Sequence, residues 1–175
     1  MGNTGNVTRL NGYSLMECLI ATSLVLISSA LAAPSLSSWF EKQDLKNALI
    51  HTALFIKQAR NEAIAQSMSV NIVVDPSREG CIGATLNTTC DCFAPSSCEV
   101  KSIPRSIQFE KYNTSVRLSV PQKIHMQWDK LHGFVDGPGF TVGLNNNEHS
   151  GKVIISTLGR VRFCSEQVML GIAPC

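Results

Sequence analysis

The feature that most limits what this chain can fold into is the run from Tyr13 to Ala33, YSLMECLIATSLVLISSALAA, whose only carboxylate is Glu17. As a helix such a run just crosses a bilayer, because about 20 mainly apolar residues cover the hydrocarbon core. It also explains a composition that is 44% apolar but only 16% charged, low in charge for a soluble protein. Ahead of it, residues 1–12 are polar and carry Arg9, which favours leaving that end in the cytoplasm. A cleaved secretory signal finds support in Ala30-Leu31-Ala32, a small-residue cleavage pattern. A plain anchor helix accounts for the length. Neither accounts for Glu17, since a carboxylate costs roughly 2.5 to 3.5 kcal/mol at the centre of a membrane helix and less near its end. Unless it snorkels to the headgroups, Glu17 needs a partner at its own depth.

With 175 residues the chain has room for one domain beyond this run. After Pro34, the residues Leu45, Leu49, Ala53, Ile56, Ala59 or Ala63, and Ser67 recur in steps of three or four. Most charges fall elsewhere, which predicts an amphipathic continuation of the first helix. A single helix over 14–68 would be about 80 Å long at 1.5 Å per residue. Beyond Met68, short β-rich runs are expected at 70–74, 106–109, 116–120, 123–128, 140–144, 152–156 and 161–163, separated by Pro, Gly and Asn clusters. The expected fold is α+β, a long N-terminal helix packed on antiparallel sheet. Its divisions are a leader at 1–12, a membrane and assembly segment at 13–34 and an exported domain at 35–175.

Cys18 lies in the apolar run, and the other six cysteines, Cys81, Cys90, Cys92, Cys98, Cys164 and Cys175, all follow it. An even set downstream of an export signal implies a disulfide framework in an oxidising compartment. Three bridges are expected, with Cys164 to Cys175 closing a short C-terminal loop and the other pairings open. The spacing of Cys81, Cys90, Cys92 and Cys98 matches no common zinc pattern, so no metal is expected. Residues 75–104 look like a Cys-rich loop held by disulfides in place of a core.

Lys plus Arg exceeds Asp plus Glu only by 15 to 13, so net charge does not mark a nucleic-acid binder and any basic patch must be local. No hydrolase, zinc-protease, P-loop or dinucleotide signature is present, and His51, His125, His132 and His149 are scattered; neither catalytic residues nor a cofactor are expected. The informative segment is Gly151 to Cys164, GKVIISTLGRVRFC. Arg160 and Arg162 are two apart, so on an extended strand both face one side, about 6.6 Å apart. Guanidinium forks suit phosphates, and basic residues also guard exposed hairpin edges; spacing alone leaves both readings open. Lys152 begins the preceding strand. A wider basic footprint takes in Lys101, Arg105, Lys111, Arg117 and Lys123, against Glu110 alone in that stretch. Phe109 and Tyr112 are the only aromatic residues interleaved with it, so base stacking is not expected.

Gly12-Tyr13-Ser14-Leu15-Met16-Glu17 resembles the processing site of type IV prepilins. Counted from Tyr13, Glu17 is the fifth residue and Pro34 the twenty-second, both positions of the family pattern, and Tyr13 keeps an aromatic ring where Phe is usual. The resemblance implies cleavage after Gly12 by a prepilin peptidase, methylation of the new N-terminus, an inner-membrane precursor with a periplasmic domain, and Glu17 pairing with the amine of another pilin subunit. Ala59-Arg60-Asn61-Glu62-Ala63 and Gly159-Arg160-Val161-Arg162 extend the likeness to the FimT/GspH group of minor pilins and pseudopilins. That implies a pilin-like fold in a surface pilus. The G-R-x-R motif further implies binding of DNA during natural transformation through Gly159, Arg160 and Arg162; local charge adds Lys101, Arg105 and Lys152 as subsidiary candidates, and without base stacking the contact is expected to be sequence-independent. A GspH-like pseudopilin of type II secretion, binding only protein, is the alternative. The cysteine loop is not part of the family pattern.

Overall fold

The computed structural model describes residues 13–112, 115–169 and 171–175, and of 31–35 and 111–112 only the backbone. The packing of Cα atoms divides the chain into two compact units, one ending at Trp39 and one from Phe40 to Cys175. A single helix, α1 (Leu15–Gln66), contributes to both.

In the first unit Leu15, Met16, Leu19, Ile20, Leu24, Val25, Leu26 and Ile27 are all exposed. Side chains that point all round a helix cannot be buried by one neighbour, and among the described residues nothing covers this surface. Among the described residues no helix is long and apolar enough to cross a membrane. The expected span at 13–33 includes 31–33, whose side chains lie outside the described residues, as does all of the expected leader with Gly12.

The second unit is α+β. Strands β1 (Val70–Asp75), β2 (Cys81–Thr85), β3 (Glu99–Val100), β4 (Ile103–Pro104), β5 (Ser106–Gln108), β6 (Arg117–Ser119), β7 (Ile124–Trp128), β8 (Phe140–Asn145), β9 (Ser150–Ile155) and β10 (Val161–Ser165) follow the helix. They form two four-stranded sheets, in the orders β5-β2-β1-β7 and β10-β9-β8-β6, and a β3–β4 ribbon. All pairings between these strands are antiparallel. Leu45, Leu49, Ala53, Ile56, Ala59 and Ala63 form the buried stripe of α1, and they share one core with Ile72, Val74, Trp128, Val142, Leu144, Val153 and Ile155 from both sheets. Gly151 permits a close approach, because a Cβ there would stand 2.6 Å from a Leu49 methyl. Ser67, expected on the stripe, instead ends the helix. It takes a left-handed φ of 51°, its N–H bonds the Ile64 carbonyl at 3.2 Å and that of Met68 bonds Ala63 at 3.1 Å, a Schellman cap.

Residues 75–104 are only partly the expected loop, since β2 lies inside the first sheet with β1 and β5 as neighbours. Every residue of β2 is buried, so it lacks the alternation that marks a half-exposed strand. Disulfides Cys81–Cys92 and Cys90–Cys98 join Val73 and Phe93 in a second small apolar cluster. Gly83 makes room for it, because a Cβ there would lie 2.3 Å from the Cys98 sulfur. Cys164–Cys175 is the third bridge and ties the chain end to β10. All six sulfurs are thereby occupied, which leaves none as a thiolate ligand for zinc.

Candidate nucleic-acid interface

The G-R-x-R segment closes the β9–β10 hairpin. Gly159 N–H bonds the Ser156 carbonyl at 2.9 Å and Ser156 N–H bonds that of Arg160 at 3.0 Å, while the Ser156 hydroxyl accepts the Arg160 N–H at 3.1 Å. Gly159 has a φ of +80°, the left-handed position that follows a type I turn in a three-residue hairpin loop. Arg160 leaves this turn exposed, Val161 is buried and Arg162 is exposed again, the alternation that a strand requires. In register Arg162 faces Ile154, which makes Lys152 its diagonal neighbour at roughly 7 to 8 Å.

The glycine has a second reason. A Cβ on Gly159 would come within 2.3 Å of the Gly133 carbonyl oxygen and 2.5 Å of Arg60 Nε. Arg60 Nε donates to that same carbonyl at 2.7 Å, and Val135 N–H bonds the Thr157 carbonyl at 2.9 Å. The helix motif at 59–63 and the hairpin motif at 159–162 therefore meet around Arg60, with the loop 129–135 between them.

The remaining cations of the expected footprint are spread over the unit and mostly neutralised. Arg105 pairs with Glu62 in a half-buried contact, Arg117 with Glu79 at 2.8 Å, Lys123 with Asp75 at 3.1 Å, and Lys152 with Glu166. Lys101 is exposed in the β3–β4 turn, away from the second sheet in topology, and the Lys111 side chain lies outside the described residues. Among the described residues, Arg160, Arg162 and Lys101 enter no ion pair. The pairings also act on the acids. The Lys152 ammonium, followed by the Ser150 hydroxyl, holds the Glu166 carboxyl below its usual range. At Asp75 burial acts upward, but bonds from Ser77 and Lys123 outweigh it and the carboxyl also ends low.

Phe109 proves to be core, and the Tyr112 side chain lies outside the described residues. The aromatic pair near the arginines is one that sequence reasoning missed. His132 and Phe134 stack with centroids 5.3 Å apart, on the loop that packs against Gly159. His-Gly-Phe beside Arg60 could be found only by knowing that residues 133 and 159 touch. Tyr13 and Glu17 are exposed in the first unit, where Cys18 is a free thiol. Among the described residues no group of three or more His, Cys, Asp or Glu side chains is placed to hold a metal ion. No family model matches the chain, and searches of curated proteins and of solved structures also return no match.

Proposed function

We propose that the chain is a prepilin-type minor pilin of the FimT/GspH kind that binds DNA through Arg160 and Arg162. The observation that carries this reading is the contrast between the hairpin arginines and most cations of the expected basic footprint. The two hairpin arginines are exposed and free of ion pairs among the described residues, whereas Arg105, Arg117, Lys123 and Lys152 each meet a carboxylate. An unpaired guanidinium fork at a turn is available to a phosphate without first giving up a partner. The contact is then with the DNA backbone and indifferent to sequence.

The other parts of the reading fit physically. The exposed apolar side chains along 15–27 need a membrane or the helices of other subunits as cover. Glu17, in their midst, gains from a cationic amine at its depth, the contact expected from another subunit. In this account the precursor resides in the inner membrane, is cleaved after Gly12 and enters a pilus. Fluorescence anisotropy with the whole chain in detergent micelles tests the DNA reading. Arg160→Ala and Arg162→Ala should each weaken binding of every sequence alike, while Lys123→Ala should leave it near the parent value. Equal loss from all three would indicate a diffuse charge effect, and no loss from either arginine variant would favour the secretion pseudopilin.

A further inference from the structure

The loop that packs on the arginine turn also walls a cleft. A cleft of about 500 Å³ is lined by Leu131, His132, Phe134, Gln127, Asp129 and Asp136. That size falls within the usual range for a small-molecule pocket. Its apolar wall is costly to leave in water, with Leu131 66% and Phe134 42% exposed, and Leu158 at the tip of the adjoining turn 67% exposed. The wall is not a loose segment. Asp129 accepts the Leu131 and His132 N–H groups at 3.1 and 2.8 Å and the His132 ring at 3.3 Å. Arg60 Nε fixes the Gly133 carbonyl at 2.7 Å, and Val135 bonds Thr157 across to the hairpin. The stacked rings and the arginine turn are thus set on one framework.

The chemistry of this lining selects a ligand. A flat π surface next to a turn bearing unpaired guanidinium groups suits a nucleotide, with phosphate at the arginines and base on the rings. The Asp129 and Asp136 carboxylates in the lining repel phosphate, so the backbone lies outside the cleft. The Asp136 carboxylate and the Gln127 amide oxygen can accept from the exocyclic amino groups of bases. A base within a duplex has both faces covered by its neighbours and cannot use such a wall; an unpaired base can.

We propose that this cleft receives an unpaired nucleobase, so that the hairpin and cleft together prefer single-stranded DNA over duplex. The inference rests on the DNA-binding reading above and adds the strand preference to it. The test measures anisotropy of three labelled probes of equal length with the whole chain in detergent micelles: a single strand, the matching duplex, and a strand of abasic sites that keeps the phosphates. The single strand should bind about 5- to 150-fold more tightly than the abasic strand, the range given by stacking of one base, and more tightly than the duplex. Phe134→Leu keeps an apolar side chain but removes the ring; it should bring the single strand to the abasic level and leave the other two probes unchanged. His132→Ala should act in the same direction. Arg160→Ala with Arg162→Ala should weaken all three probes together. Equal binding of the ordinary and abasic strands overturns the base cleft, as does Phe134→Leu weakening all three probes alike, and either result leaves the arginine reading standing. A parent chain that binds none of the probes, or a double arginine variant that binds them as well as the parent, defeats both.

Discussion

Gly159→Ala isolates the junction on which the hairpin depends. An alanine at a φ of +80° carries a left-handed strain of about 1 to 2 kcal/mol. Its Cβ would also stand 2.3 Å from the Gly133 carbonyl oxygen, so backbone must shift and the Arg60–Gly133 hydrogen bond breaks. A hydrogen bond from a charged donor contributes about 1.5 to 3 kcal/mol, and the lower half of that range applies because Arg60 is only half-buried. Alanine's lower entropy in the unfolded chain offsets about 0.4 to 1 kcal/mol. The net loss is about 1.5 to 4 kcal/mol. Urea unfolding of the whole chain in micelles, followed by far-ultraviolet circular dichroism, should show the midpoint falling with the slope unchanged. In an Arg60→Ala background the same substitution should cost at least about 1 kcal/mol less, because one of the two obstructing groups is gone. A loss under about 0.5 kcal/mol, the level of an ordinary surface change, would refute the reasoning.

Three further outcomes follow from the same structure. Non-reducing peptide mapping should return Cys81–Cys92, Cys90–Cys98 and Cys164–Cys175, and replacing the last pair with Ser should cost about 3 kcal/mol for its 11-residue separation; a Cys81–Cys90 peptide would contradict the packing at Gly83. Carbon NMR should place the Glu166 titration below 4.5 and Lys152→Ala should move it upward; because the folded value is depressed, the pair's contribution is present above the unfolded value and disappears as pH falls through the folded one, and an unmoved titration would remove Lys152 as its cause. Mass spectrometry of the mature chain should begin at Tyr13, and a start at Ala33 would end the pilin reading.

Much of the fold is legible in the residues because it follows from period. The stripe from Leu45 to Ala63 repeats at helical spacing and is the buried face of α1, which ends two residues before the expected 68. Strands β7, β8 and β9 alternate because one face of each meets the core. Strand β2 was hidden because disulfides cover the face that would otherwise be polar. Ser67 misled because it keeps the helical spacing while its backbone has already turned left-handed. At the candidate site, the exposure of Arg160 and Arg162 on a hairpin could be read from their spacing and from Gly159. The neutralised footprint could not. Within 101–123 only Glu110 opposes the cations, but the actual partners, Glu62, Glu79 and Asp75, come from outside that window. The His132–Phe134 pair was invisible for the same reason, since it meets the arginine turn only through the contact of Gly133 with Gly159.

The most direct test of DNA binding by the hairpin arginines is the salt dependence of duplex binding, measured by anisotropy with the whole chain and the Arg160→Ala, Arg162→Ala double variant. Each neutralised phosphate contributes about 0.9 to the slope of log K against log salt on duplex DNA. If each guanidinium holds one phosphate, the double variant should lose about 1.8 units of slope, equally on unrelated sequences, with its unfolding midpoint unchanged. A folded double variant with the parent's slope and affinity would contradict the account.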